Sequence, residues 1–171
     1  MEKLPDSPGA DESLDAGEMG FELTASSLIH VDYIAPPAAI SDYVTTLYHF
    51  RCEEPKIRDI QPSSVGHLAI FPYGKGEMHF REGHRDPNHE IALLTTLSTA
   101  SPIIVDGRMH AIGAALTPLG WAALTRLHAG DHRDRLRDAR DILGKDVEAL
   151  GRELIDGYRN GSKTGKECAL A

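Results

Sequence analysis

The chain is poor in cysteine, in basic residues and in long apolar runs, and each scarcity removes a class of protein. Only Cys52 and Cys168 occur in 171 residues. Two cysteines this far apart make neither a disulfide framework nor a metal-type pair, so both are expected as free thiols in a reducing setting. No stretch approaches the roughly 20 apolar residues of a membrane helix, and Met1-Glu2-Lys3-Leu4-Pro5-Asp6 lacks the apolar opening of a signal peptide. The expectation is a cytoplasmic chain with no membrane partner. Lys plus Arg number 18 against 26 Asp plus Glu, a net charge of −8. That deficit leaves no general basic footprint for nucleic acid. Also missing are a Gly-x-Ser-x-Gly elbow, a phosphate-binding glycine loop and a paired-carboxylate pattern. No catalytic residue is therefore nominated, and no cofactor or metal is expected.

What is present is enough for one domain. Hydrophobic residues make up 41% of the chain, sufficient for a core. The acidity is concentrated at the start: Glu2, Asp6, Asp11, Glu12, Asp15 and Glu18 face Lys3 alone, and removing that segment moves the charge from −8 to −3. With Pro5, Pro8, Gly9, Gly17 and Gly20, residues 1–22 read as a disordered acidic leader. Residues 23–159 read as a single regulatory domain, and 160–171 as a linker or a truncated helix.

Within that domain, strands precede helices. Leu28 to Ile34 and Tyr43 to Arg51 have strand composition. In the second, Thr46, Tyr48 and Phe50 share one face, and Leu47, His49 and Arg51 the other. Ser64–Phe71 and Glu77–Glu82 read as a hairpin joined by Pro72-Tyr73-Gly74-Lys75-Gly76. Short strands follow around 91–95, 102–105 and 109–116. Thr117-Pro118 opens a helix with Thr117 as N-cap and Gly130 as its stop. Asp134–Leu143 and a segment capped by Asp146 read as two more helices, the latter with Val147, Leu150, Leu154 and Tyr158 on one stripe. The fold class is α+β: a curled antiparallel sheet or small β-barrel followed by C-terminal helices.

Two sets of residues could carry function. Tyr48, Phe50 and Phe71 could form aromatic walls of a small-molecule pocket, with His67 or His110 as its polar group and Trp121 closing it from the helix side. Trp121 could instead simply anchor its helix on the sheet. The alternative is a cupin-like, metal-dependent enzyme using His79, His84, His89 and Glu90, residue types that suit zinc or iron. Against it, the four residues between His84 and His89 include Pro87, so no helix aligns the two imidazoles, and His79 faces outward.

Tyr33-Ile34-Ala35-Pro36-Pro37, then Tyr43-Val44, then Tyr48-His49-Phe50-Arg51, resembles the opening of the N-terminal domain in one branch of AraC-type transcriptional regulators. Gly66-His67-Leu68-Ala69-Ile70-Phe71 is similar to its central strand. Gly107, followed by Ala111-Ile112-Gly113-Ala114-Ala115-Leu116-Thr117-Pro118-Leu119-Gly120-Trp121, is similar to its strand-to-helix junction. The likeness spans about residues 28 to 158. It implies a non-enzymatic domain that senses a small-molecule effector or mediates homodimerisation. It also implies DNA contact only through a helix-turn-helix domain, which needs roughly a hundred residues beyond Ala171.

Overall fold

The computed structural model describes residues 22–81 and 83–171. Of the acidic leader, only Glu22 falls among them. Eight strands form one antiparallel sheet: β1 (His30–Ile34), β2 (Val44–Cys52), β3 (Lys56–Gln61), β4 (His67–His79), β5 (Arg85–Pro87), β6 (Ile91–Leu94), β7 (Ser101–Leu116) and β8 (Leu136–Asp138). Their order is β1-β2-β7-β4-β6-β8, with β3 also pairing β7 and β5 also pairing β4. The sheet curls without closing. Four helices, α1 (Pro118–Thr125), α2 (Arg140–Leu143), α3 (Lys145–Arg159) and α4 (Gly165–Leu170), all follow β7. The expected α+β class is therefore the observed one. Among the described residues, no helix is long and apolar enough to cross a membrane.

The frame is the ladder between β4 and β7, which runs from His67 opposite Ala115 to Met78 opposite Ile103. This corrects the expected hairpin: residues 67–79 are one strand, and 101–116 are another, not two short pieces. The register slips between Ile70 and Tyr73 and again between Tyr73 and Lys75. Pro72 lies in the first slip, where its missing N–H costs no ladder bond. Gly74 lies in the second with φ +117°, a conformation that suits glycine in a bulge as well as in a turn. The same residue chemistry thus bends a strand instead of reversing it.

Alternation across the sheet separates two environments. Leu47, Ile70, Leu93 and Ile112 point to the helices and bury against Trp121, Leu154, Ile155 and Cys168. α1 begins as expected: Thr117 Oγ1 accepts from the Gly120 N–H at 2.9 Å. It ends at Thr125, well before Gly130, because Arg126 takes a left-handed φ of 57° and the Trp121 indole N–H reaches back to the Leu127 carbonyl at 2.9 Å.

The expected helix over 134–143 is helical only from Arg140. Asp86 explains the difference. Its carboxylate accepts two bonds from Arg135, at 2.7 and 2.9 Å, and the Leu136 N–H at 2.8 Å, which draws β8 onto β6. Burial raises the affinity of this carboxyl for a proton, but those hydrogen bonds outweigh it and hold Asp86 below its usual range. At the other end, residues 165–170 are a helix packed on the sheet. Thr164 and Glu167 form its capping box, and Cys168 is buried.

Trp121 is 4% exposed and joins α1 to the helix-side core. Trp121→Ala is expected to lower stability by about 3–5 kcal/mol, read from urea unfolding followed by circular dichroism. A loss under about 1 kcal/mol would show that another contact anchors the helix.

Candidate functional site

The concave face of the sheet, turned away from the helices, encloses a cavity of about 400 Å³. Every long strand contributes to it through alternate residues. β2 supplies Thr46, Tyr48 and Phe50, β4 supplies His67, Ala69 and Phe71, and β7 supplies Met109 and Ala111. Val31 and Tyr33 on edge strand β1 and Leu136 on edge strand β8 line the same space, so the curl brings both edges of the sheet around one hollow. The walls are mainly apolar, the character of small-molecule pockets.

Among the polar groups on the cavity wall, which also include Gln61 and Asn88, two are carried by neighbouring aromatic rings. Tyr48 and His67 meet edge to face, with centroids 5.7 Å apart and planes at 62°. Tyr48 can lie against the sheet because its partner across the ladder is Gly113; a Cβ there would come within 2.6 Å of Tyr48 Oη. Burial, reinforced by Tyr33, pushes the Tyr48 phenol well above its ordinary range. Burial alone lowers His67. Both groups are therefore uncharged near neutral pH.

Of the six residues nominated from the sequence, Tyr48, Phe50, His67 and Phe71 line the cavity. His110 and Trp121 do not, which corrects the expectation of a pocket between sheet and helix. Trp121 is packed into the helix-side core, and the hollow of about 120 Å³ that remains between the sheet and α3 is lined by neither Trp121 nor His110. His110 follows Met109 on β7, so the pleat turns it to the helix side. There it forms a chain of polar contacts that no spacing in the sequence announces. Glu53 Oε1 lies 2.6 Å from His110 Nε2, and His110 Nδ1 lies 2.7 Å from Tyr158 Oη. Tyr158 Oη in turn lies 2.9 Å from His49 Nε2. Asp32 accepts from Arg51 at 2.8 Å and lies 3.8 Å from His49 Nδ1. Tyr158 is recognisable in the sequence as a stripe residue of α3, but its two histidine partners lie 109 and 48 residues away in the chain.

The metal alternative is not assembled. His79 pairs with Glu77 at 2.6 Å, His84 with the Asp134 carbonyl at 2.9 Å, and His89 with Asp138 at 3.6 Å. Glu90 binds Arg159 at 2.7 Å. Among the described residues, no group of three or more His, Cys, Asp or Glu comes together in a way that could hold an ion. Comparison of the chain with protein-family models, with curated proteins and with solved structures returns no match.

The buried histidines set a pH dependence. His49 is lowered from 6.5 by burial first, then by Arg51 and His110, with Asp32 opposing; His67 is lowered by burial. A depressed histidine favours the folded state fully above the unfolded value, and that contribution is lost as pH falls, because the unfolded chain then binds protons the folded one resists. The urea midpoint is expected to decline from about pH 6.5 downward, before the carboxylates contribute below about pH 4. His49→Gln is expected to flatten the decline. A midpoint constant between about pH 8 and pH 5 would contradict this assignment.

Proposed function

We propose that this chain is an effector-sensing domain of an AraC-type transcriptional regulator, non-enzymatic, with a small apolar or aromatic molecule bound in the concave cavity. The observation that carries the reading is the cavity itself: about 400 Å³, lined from both edges of the sheet, and distinct from the packed helix-side core. The resemblance in residues 28–158 supplies the regulatory context. The effector acts by favouring one of two arrangements of the domain. The back wall supports this role. His49 sits between the cavity residues Tyr48 and Phe50, and His110 between Met109 and Ala111. Both histidines hold Tyr158 of α3, so cavity wall and helix layer share two strands. Homodimerisation and DNA binding through a helix-turn-helix domain are part of the same proposal.

The test combines binding with response. In a thermal-shift panel of small aromatic and aliphatic compounds, a true ligand at about 100 times its Kd adds about 2.7 kcal/mol of stability. Ala69→Phe, which places a ring in the cavity, is expected to abolish that gain. Fused to a heterologous helix-turn-helix domain, the wild-type chain is expected to make a reporter respond to the same compound. Equal binding by wild type and Ala69→Phe, or binding with no reporter response, would count against the reading.

A further inference from the structure

The cavity is unusual in the kind of charge it lacks. Among the described residues that line it there is no Lys and no Arg, whereas Asp59 and Glu77 are on its wall. Glu77 is already engaged by His79 and Arg85. An anion entering this space loses water and meets no cationic side chain on the wall, but does meet two carboxylates. Such a burial is strongly unfavourable.

The interior polar pair has the opposite property. Neither Tyr48 Oη nor the His67 imidazole has a hydrogen-bond partner among the described residues, although each sits beside the other in an apolar surround. A phenol O–H can donate and accept, and a neutral imidazole offers one donor and one acceptor. Their complement is a group that also does both, and the smallest neutral one is a hydroxyl. An ether offers only acceptors, an ammonium only donors, and a carboxylate only acceptors with a charge.

Resting on the effector reading above, we infer that the ligand is a neutral, largely apolar molecule carrying a hydroxyl, phenolic or alcoholic, which hydrogen-bonds to Tyr48 Oη and His67 while its apolar body lies against Phe50, Phe71 and Met109. Burial, which keeps His67 deprotonated and Tyr48 protonated, maintains that neutral complement near neutral pH. The selectivity comes from the missing cation as much as from the pair: a site built to hydrogen-bond a hydroxyl discriminates against an analogue that leaves its polar groups unpaired.

Four matched probes test this by calorimetry on the full chain at about pH 7.5: para-propylphenol, para-propylanisole, para-propylbenzoate and para-propylbenzylammonium. The phenol is expected to bind, with the anisole, the benzoate and the ammonium each weaker by roughly tenfold or more. Tyr48→Phe, which removes the phenol oxygen and keeps the ring, is expected to reduce the preference of phenol over anisole by several-fold, with an unfolding midpoint close to wild type. Benzoate or ammonium binding as tightly as the phenol would overturn the ligand class and leave the cavity reading standing. So would a phenol preference unchanged in Tyr48→Phe. Failure of all four probes to bind would overturn the effector reading, and the ligand class with it.

Discussion

The long ladder between β4 and β7 is the constraint on which the rest of the molecule depends. It joins the two sides of the sheet: β2 and β3 attach to β7, and β5 and β6 attach to β4. A flat ladder of this length would present two similar faces. The slips at Pro72 and Gly74 give it a bend, and added bulges increase local twist. The curl then brings Val31 and Leu136, from opposite edges, to one cavity. On the convex side the same residues in alternation feed a packed core. Leu93 and Ala139 are fully buried there, and the hollow left between the sheet and α3 is about 120 Å³ against about 400 Å³ on the concave side.

The pleat was the legible part of the site. In β2 the alternation of Thr46, Tyr48 and Phe50 against Leu47, His49 and Arg51 is visible in the sequence and holds in the structure, as does the grouping of His67, Ala69 and Phe71 on β4. A period of two is set by backbone geometry and survives any error about what each face meets. What the faces meet is a long-range matter. Of the two roles open to Trp121, helix anchor and pocket wall, the structure has the anchor; local pattern does not say that the helix covers the face carrying Leu47 rather than the one carrying Tyr48. The side on which His110 lies is hidden for a related reason. Reading 102–105 and 109–116 as separate strands discards the continuous register that assigns its side.

Turn chemistry was the least reliable guide. Pro72-Tyr73-Gly74-Lys75-Gly76 has the residues of a hairpin, but proline and a positive-φ glycine serve a bulge equally well. The competing outcome was decided by β7, which has enough length to pair with both halves of β4. Asp86 overrode helix pattern in the same way: three hydrogen bonds to Arg135 and the Leu136 N–H fix residues 136–138 as an edge strand before α2 can start. Residues 160–171 carry glycine and lysine in linker-like proportion, yet Thr164 and Glu167 cap a helix whose Cys168 is buried in the core.

The Glu53–His110–Tyr158–His49 chain follows from the same two-faced geometry. A buried histidine on the helix side needs a partner, since an unpaired polar group there costs more than the bond itself contributes. The Tyr158 hydroxyl donates one bond and accepts another, so one oxygen satisfies two imidazoles on adjacent strands. With neutral imidazoles, Glu53 Oε1 accepts from His110 Nε2–H, His110 Nδ1 accepts from Tyr158 O–H, and Tyr158 Oη accepts from His49 Nε2–H. In that arrangement the order of donors along the chain starts from the exposed Glu53 carboxylate at its rim. Because His49 and His110 sit between cavity residues on β2 and β7, a backbone rotation that repositions Tyr48 also moves His49 against Tyr158. The polar chain then links the cavity wall to α3 directionally, since hydrogen bonds specify direction where the apolar contacts around them specify only distance.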